Sequence, residues 1–462
     1  MKRLPRCSWI SLLLLVGLAP IAMSADWGGS IDNATEIAYE TEVLPSQRNR
    51  VALWGSYQSG SWFSAFGQGS YVYSLDRPYL FDVDELWAEA ELGLGTPGAL
   101  KSSDPGGLAF KARLGRFFMR EFSGYVLDHR VDGLRFSLAT RWGQLRAGAG
   151  YTGLLLKPTS DIELSKLDTA DEAKVDVRLA PSRLIEQFEI TFAELVLRQD
   201  VVFSAVLQQD LRPTDETRDD RGRVDTQYYG LGVAGPVWRN LFHETFGYAG
   251  TGSMISGQAG VYERRSIRSW LAGGSLRYLL PSFLQSYVEL GGVYASGDAD
   301  HRTFLEGNAE DSSTLFLPIS GEKPGLVFAP VVGNLAYGRL ALATKPFTSV
   351  MENSSPPYLS PRETGFSSLQ IIAETFVFFR PTTGPISKPG LNDASESTYL
   401  GTEVDLRLQA RLLSDLGMAL SSGVFLPNTG EVSGFETAED PAFRADGQDV
   451  QLLTRLELSV SF

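Results

Sequence analysis

Val450-Gln-Leu-Leu-Thr-Arg-Leu-Glu-Leu-Ser-Val-Ser-Phe462 closes the chain and decides the reading of the rest. Val450, Leu452, Thr454, Leu456, Leu458, Val460 and Phe462 alternate with Gln451, Leu453, Arg455, Glu457, Ser459 and Ser461. A period of two with one greasy and one mostly polar face is a half-buried strand. The last residue is an aromatic on the greasy face, which suits an anchor at a membrane interface better than a soluble core. The segment therefore predicts the closing strand of a transmembrane barrel.

The other end of the chain agrees. Lys2, Arg3 and Arg6 precede the apolar run Trp9 to Leu18, and the small residues Ala22, Ser24 and Ala25 follow it. That order predicts a secretory signal over residues 1–25 and a mature chain that leaves the cytoplasm. Cys7, the only cysteine, lies before the apolar run, so it is no lipid-attachment site, and cleavage removes it. The mature protein is then without disulfides or cysteine-ligated metal. No other stretch reaches the roughly 20 apolar residues of a spanning helix. With 47 Gly and 11% aromatic residues, the composition suits apolar residues spread by alternation rather than pooled in helices.

Period-two segments recur along the chain. The clearest is Glu85 to Leu94, where Leu86, Ala88, Ala90, Leu92 and Leu94 oppose Glu85, Trp87, Glu89 and Glu91. Leu108 to Gly115, Leu134 to Leu138 and Leu145 to Tyr151 follow, with Lys111, Arg113, Arg135 and Arg146 on their polar faces. Further strands are predicted over 49–59, 62–74, 184–197, 201–211, 227–234, 241–248, 269–280, 283–295, 335–345, 368–380, 399–413 and 418–425. With the weaker pattern Thr35 to Val43 as the first strand, the expectation is an all-β, antiparallel up-and-down transmembrane barrel of about 18 strands, 16 being the alternative. Short links (142–143, 198–200, 236–240, 281–282, 414–417) alternate with long ones (157–183, 212–226, 249–267, 297–334, 381–398, 427–449), as periplasmic turns and external loops should. Two connections, 95–107 and 346–366, are long where a turn is expected. The predicted organisation is signal peptide 1–25, a short periplasmic segment 26–34 and a single barrel over 35–462, which leaves no room for a plug domain ahead of the first strand.

Charge on the lipid face near the midplane costs about 2 to 4 kcal/mol, so alternation assigns the charged residues to the lumen. Lys111, Arg113, Arg135 and Arg146 make one basic wall, with Arg116, Arg120, Arg130 and Arg141 near its ends and Glu85, Glu89 and Glu91 on the strand before. Glu374, Glu403, Asp405, Arg407, Arg411, Arg455 and Glu457 lie elsewhere. Such residues either select solutes as a constriction or neutralise one another and hydrate the wall. The candidate pore-lining and substrate-binding set is Lys111, Arg113, Arg135, Arg146, Glu89, Glu403, Asp405, Arg407 and Arg455.

Two stretches carry a family resemblance. One is Arg113-Leu-Gly-Arg116 with Arg120 and His129-Arg-Val-Asp-Gly-Leu-Arg-Phe136. The other is Leu400-Gly-Thr-Glu403-Val-Asp405-Leu406 followed by Gly423-Val-Phe425-Leu-Pro427. Together they resemble alginate-export-type outer-membrane porins. That resemblance implies an 18-stranded barrel with an arginine-lined pore for an anionic uronate polymer.

The expected function is a bacterial outer-membrane porin for facilitated diffusion or export of hydrophilic, anionic or saccharide solutes. Its expected partners are outer-membrane lipid, a small hydrophilic or oligosaccharide solute, and the barrel-assembly machinery during insertion. Nucleic acid is excluded by 55 acidic against 41 basic residues and a net charge of -14. One alternative is a barrel plugged by the loop 297–334, acting as an adhesin or structural surface protein. That loop holds the apolar runs Leu315-Phe-Leu-Pro318 and Leu326-Val-Phe-Ala-Pro330. Another is a barrel hydrolase, for which His243, read as lumenal, would need a serine beside it. His129 and His301 are read as loop residues, no G-x-S-x-G occurs, and no catalytic residue, metal ligand or cofactor is expected.

Overall fold

The structure is a computed structural model that describes residues 23–39, 43–75, 79–94, 108–212, 222–258, 261–305, 308, 312–347, 369–387, 397–413, 415–428 and 450–462. The strands in chain order are β1 (Met23–Tyr39), β2 (Val43–Ser59), β3 (Phe63–Ser74), β4 (Leu80–Leu94), β5 (Leu108–Arg120), β6 (Asp128–Thr140) and β7 (Gly143–Tyr151). Next come β8 (Arg183–Val196), β9 (Gln199–Asp210), β10 (Val224–Trp238), β11 (Leu241–Gln258), β12 (Val261–Leu280) and β13 (Ser286–Ala295). The remainder are β14 (Ser312–Ser313), β15 (Leu335–Thr344), β16 (Gln370–Phe379), β17 (Tyr399–Arg411), β18 (Leu416–Pro427) and β19 (Gln451–Ser461).

Every strand of the wall pairs antiparallel with its neighbours. β19 closes on β1, from Ser30↔Ser461 to Tyr39↔Leu452, and the backbones of Gly29 and Phe462 exchange hydrogen bonds at 2.9 and 3.0 Å. β14 is not part of this wall: it lies parallel to β12 where β13 has ended, while β13 pairs directly with β15. The result is a closed 18-stranded barrel, so no edge strand is left to pair with another chain. The two connections that were long where a turn was expected, 95–107 and 346–366, lie outside the described residues except for 346 and 347.

The first strand differs from expectation. It starts at Met23 and runs through residues 26–34, pairing with β2 from Met23↔Ser59 to Tyr39↔Val43. No separate segment precedes the wall there. Its outward positions include Asn33 and Thr35, which weaken the period-two signal, and the register against β2 holds the strand instead.

The outer face is apolar. Leu86, Leu114, Leu290 and Leu340 are all more than half exposed, which water would penalise and lipid acyl chains would not. Aromatic residues mark both rims. Trp62, Trp142, Trp238, Phe283 and Phe462 sit at the turn end, and Tyr71, Tyr73, Tyr79, Phe81 and Trp270 towards the loop end, each substantially exposed. These are the two girdles that amphipathic rings form at bilayer interfaces.

Candidate functional site

The bore is narrowed from within by two segments. The first is the β5–β6 hairpin. Its lower half runs in the wall, and at Gly115 and Gly133, paired with each other, it leaves the wall and turns inward. Gly115 has φ +128°, and a Cβ there would overlap the carbonyl oxygen of Leu86. Only glycine takes that conformation without strain. At Gly133 a Cβ would overlap the Ala149 carbonyl and lie 2.7 Å from the Gly150 Cα.

Beyond the bend one side of the hairpin packs on the inner wall. Phe117, Met119 and Val131 are fully buried, and Gln187 on β8 donates to the Arg120 carbonyl at 3.0 Å. The tip reaches across the lumen. Phe122 stacks on Tyr248 of β11 at 5.4 Å and Tyr125 on Phe246 at 5.3 Å. The Tyr125 hydroxyl meets the Tyr337 hydroxyl of β15 at 2.7 Å. Glu121 seals the tip by accepting from the backbone of Ser123 and Val126 at 2.6 and 3.0 Å and from the Tyr248 hydroxyl.

The second segment is the loop between β13 and β15. Leu315, Phe316, Leu317 and Ile319 are buried against the inner wall, with Phe316 edge-on to Tyr228. The backbone of Ile319 donates to Val126 at 3.0 Å, and that of Asp128 to Ser320 at 2.8 Å. The two inward segments are thereby sewn together, and Arg120 pairs with Glu322 beside the seam. From Glu322 the loop crosses to β17, where the Glu403 carboxylate accepts the backbone N–H groups of Leu326, Val327 and Phe328 at 2.5, 2.8 and 2.7 Å. Phe328 inserts between Phe378 and Phe425 at 4.9 and 4.5 Å.

These segments narrow the bore without filling it. A chamber of about 910 Å³ remains between the hairpin and the wall of β1–β4 and β16–β19. Two cavities of about 300 and 330 Å³ flank the crossing loop. The main chamber carries interleaved charge. Asp84 is shared by Arg50 at 2.5 Å and Arg130 at 3.0 Å, while Asp82 lies 3.4 Å from Arg116 and 3.5 Å from Arg130. Arg116 also pairs with Asp132 at 2.9 Å.

The sequence-assigned residues divide into three groups. Lys111 pairs with Glu91 at 2.9 Å, Arg113 with Glu89 at 2.8 Å, Arg146 with Glu189 at 3.1 Å and Arg455 with Glu36 at 2.5 Å. All face the lumen, but as neutralised pairs. Arg135 and Arg407 have no carboxylate within ion-pair distance among the described residues. Arg135 lies 5.0 Å over the Phe117 ring and Arg407 donates to Ser421 at 3.3 Å. Glu403 and Asp405 lie beneath the crossing loop and bind its backbone, Asp405 at 3.2 Å from the Leu326 nitrogen, and Asp405 also borders the smaller cavity beside that loop. Alternation gave their face correctly, but it carries no information about what folds over that face.

Asp82, Asp84 and Arg50 escaped the sequence reading. Phe81 and Val83 alternate with Asp82 and Asp84, but the register slips between β3 and β4, from Gln68↔Glu85 to Gly69↔Val83. This bulge puts Asp84 and Glu85 on the same side and hides the strand's upper half from a period-two search.

The histidines are placed differently from expectation. His243 pairs in register with Leu276, which is exposed on the outer face, and its Nε2 meets the Gln199 Oε1 at 2.7 Å; it is not lumenal. His129 and His301 are buried rather than solvated. His301 Nε2 lies 2.9 Å from Ser313 Oγ, a serine–histidine contact that spacing did not reveal. Asp298 faces that same nitrogen at 3.8 Å, whereas a catalytic triad needs the acid on the opposite one. Both partners are buried, so the contact fastens the loop.

Burial holds the His301 pKa below its ordinary value against the opposing influence of Asp298, the Thr303 backbone and Asp300. The unfolded loop takes up a proton at its ordinary pKa, so the anchoring present at neutral pH is lost as pH falls below about 6.5. Amide protection across the described residues of 297–334, taken relative to the intrinsic exchange rate at each pH, should fall between pH 7.5 and 5.5 in the wild type and much less in His301→Asn. Equal acid sensitivity in both would place the titrating group elsewhere.

No family model matches the chain, and neither does any curated protein. Solved structures do. The chain is similar to OccK2 (OpdF) of Pseudomonas aeruginosa, with a TM-score of 0.55, 11% identity and coverage of 95% of this chain and 98% of that one. For the outer membrane protein OpdK of the same organism the TM-score is 0.52, with 11% identity and coverage of 95% and 98%. OccK2 in complex with glucuronate gives 0.50, 11%, and 95% and 96%. At this identity the likeness is one of fold, and it runs from end to end.

Proposed function

We propose that the chain is an outer-membrane porin that lets hydrophilic solutes, saccharide or anionic, diffuse through a constricted, charge-lined lumen. The observation that carries this reading is the pairing of an apolar outer belt with a bore that two inward segments narrow without filling. A plugged adhesin would have no use for interleaved guanidinium–carboxylate pairs along the remaining space. Hydrolysis is disfavoured by the burial of His129 and His301 and the outward position of His243.

The glucuronate seen with OccK2 is compatible with a lumen in which Arg135 on β6 and Arg407 on β17 have no carboxylate within ion-pair distance among the described residues. The alginate-type motifs serve the same channel in another way, since Gly115, Gly133, Glu403 and Phe425 bend the hairpin and hold the crossing loop. Residues 1–25 act on this reading as a cleaved export signal, so that the mature first strand begins at Asp26; the turn end faces the periplasm, and the assembly machinery inserts the barrel.

The reversal potential of refolded protein in a planar bilayer under a KCl gradient tests the lumenal assignment. Pairing predicts weak ion selectivity in the wild type. Arg113→Ala leaves the Glu89 carboxylate uncompensated and should move the preference clearly towards cations. An unchanged potential would remove this pair from the conducting path.

A further inference from the structure

The lumen also contains a row of aromatic rings that the charge pattern does not explain. Trp54 on β2, Phe66 on β3 and Trp87 on β4 occupy the inward positions of their strands, and the outward neighbours Leu53 and Leu86 are well exposed to lipid. The rings overlap like tiles. Trp54 and Phe66 have centroids 6.3 Å apart at 22°, and Phe66 and Trp87 5.7 Å apart at 27°. The Arg113 guanidinium lies 3.8 Å from the Trp87 centroid and ends the row. All three rings keep part of their surface open to the lumen.

We propose that this row is a binding strip for neutral oligosaccharides, a substrate class for the pore that rests on the channel reading above. A pyranose ring has an apolar face of C–H groups, which suits the negative face of an aromatic ring, and an equator of hydroxyls, which needs polar partners. Both are present. Glu85 accepts the Trp87 Nε1–H at 3.0 Å and Glu89 the Arg113 Nε–H at 2.8 Å, and each carboxylate has further lone pairs for sugar hydroxyls.

The same carboxylates choose between occupants. Glu85, Glu89 and Glu91 outnumber the two cations that pair with them, Arg113 and Lys111, while Arg135, in register with Arg113, lies over the Phe117 ring. An aromatic or aliphatic anion would meet repulsion here, whereas a polyol donates hydrogen bonds. Three overlapping rings also exceed what one small aromatic solute would cover, and they match a ligand of repeated rings.

The test uses maltotriose and cellotriose on the full-length, refolded protein with two readouts, block of the ion current and quenching of intrinsic tryptophan fluorescence. Saturable block and quenching by either sugar are expected, weakened by roughly tenfold in Trp87→Ala and in Trp54→Ala. Conductance should persist in both variants. A conducting channel that neither trisaccharide blocks nor quenches overturns the strip, as does block that survives both substitutions. Block by benzoate in place of the sugars also overturns it, in favour of an anion site. A folded protein that does not conduct yet binds a trisaccharide through Trp87 would sink the channel reading while leaving the strip in place.

Discussion

Replacing Glu403 by alanine should raise the single-channel conductance severalfold and make the open state noisy. The carboxylate is fully buried and accepts three consecutive backbone N–H groups from the loop that crosses the lumen. Hydrogen bonds to a charged group contribute about 1.5–3 kcal/mol each, and removing the carboxylate takes away all three of these bonds at once. Asp405, the neighbouring acid, reaches only the Leu326 nitrogen and cannot take over. The crossing segment 322–328 would then be held by Phe328 between Phe378 and Phe425 and by the ion pair of Arg120 with Glu322. Phe328→Ala combined with Glu403→Ala should widen the pore further. The barrel wall is untouched by either change, so heat-modifiable gel mobility should persist. Unchanged conductance in the double variant would show that the crossing loop does not obstruct the ion path.

Gly115→Val and Gly133→Val should be strongly damaging, because they strike the bend of the inward hairpin. Each introduces a Cβ that overlaps a backbone carbonyl of the adjacent strand, Leu86 in one case and Ala149 in the other. Gly115 also sits in a positive-φ conformation that a β-branched residue adopts only with strain. Strain of this kind costs on the order of 1–3 kcal/mol, and here it adds to the loss of the packing of Phe117, Met119 and Val131. The expected result is a lowered temperature of the gel-mobility transition and, in molecules that do fold, a wider pore. Gly338→Ala is the control: a Cβ there meets nothing within 4 Å. A Gly115→Val channel with wild-type conductance and thermal transition would mean that the hairpin does not need this bend.

What the sequence revealed and what it concealed divide along a physical line. The wall was legible because a strand between lipid and water must alternate, and each expected strand after the first overlaps an observed one, whereas 35–43 covers only the end of β1, with 40–42 outside the described residues and Val43 already in β2. Asp82 and Asp84 were hidden by a bulge that breaks the alternation, and the start of β1 by outward Asn33 and Thr35. The loop between β13 and β15 obeys no period, because a chain packed on two sides inside a barrel has no single wet face. The apolar runs 315–318 and 326–330 were the visible trace of that burial, and Leu315, Phe316, Leu317 and Phe328 are indeed in the interior. The pairing of Arg146 in the basic wall, and of Arg455 elsewhere, was hidden because Glu189 and Glu36 lie on strands paired to theirs at registers that pattern alone does not give.

The most direct test of a narrowed but open pore is the single-channel conductance of the wild-type protein in a planar bilayer, on a sample shown to be folded by heat-modifiable mobility. Stable, discrete openings are expected, smaller than those of Glu403→Ala recorded under the same conditions. Silence from folded wild-type protein, with or without openings in Glu403→Ala, would contradict it and make the two inward segments a plug.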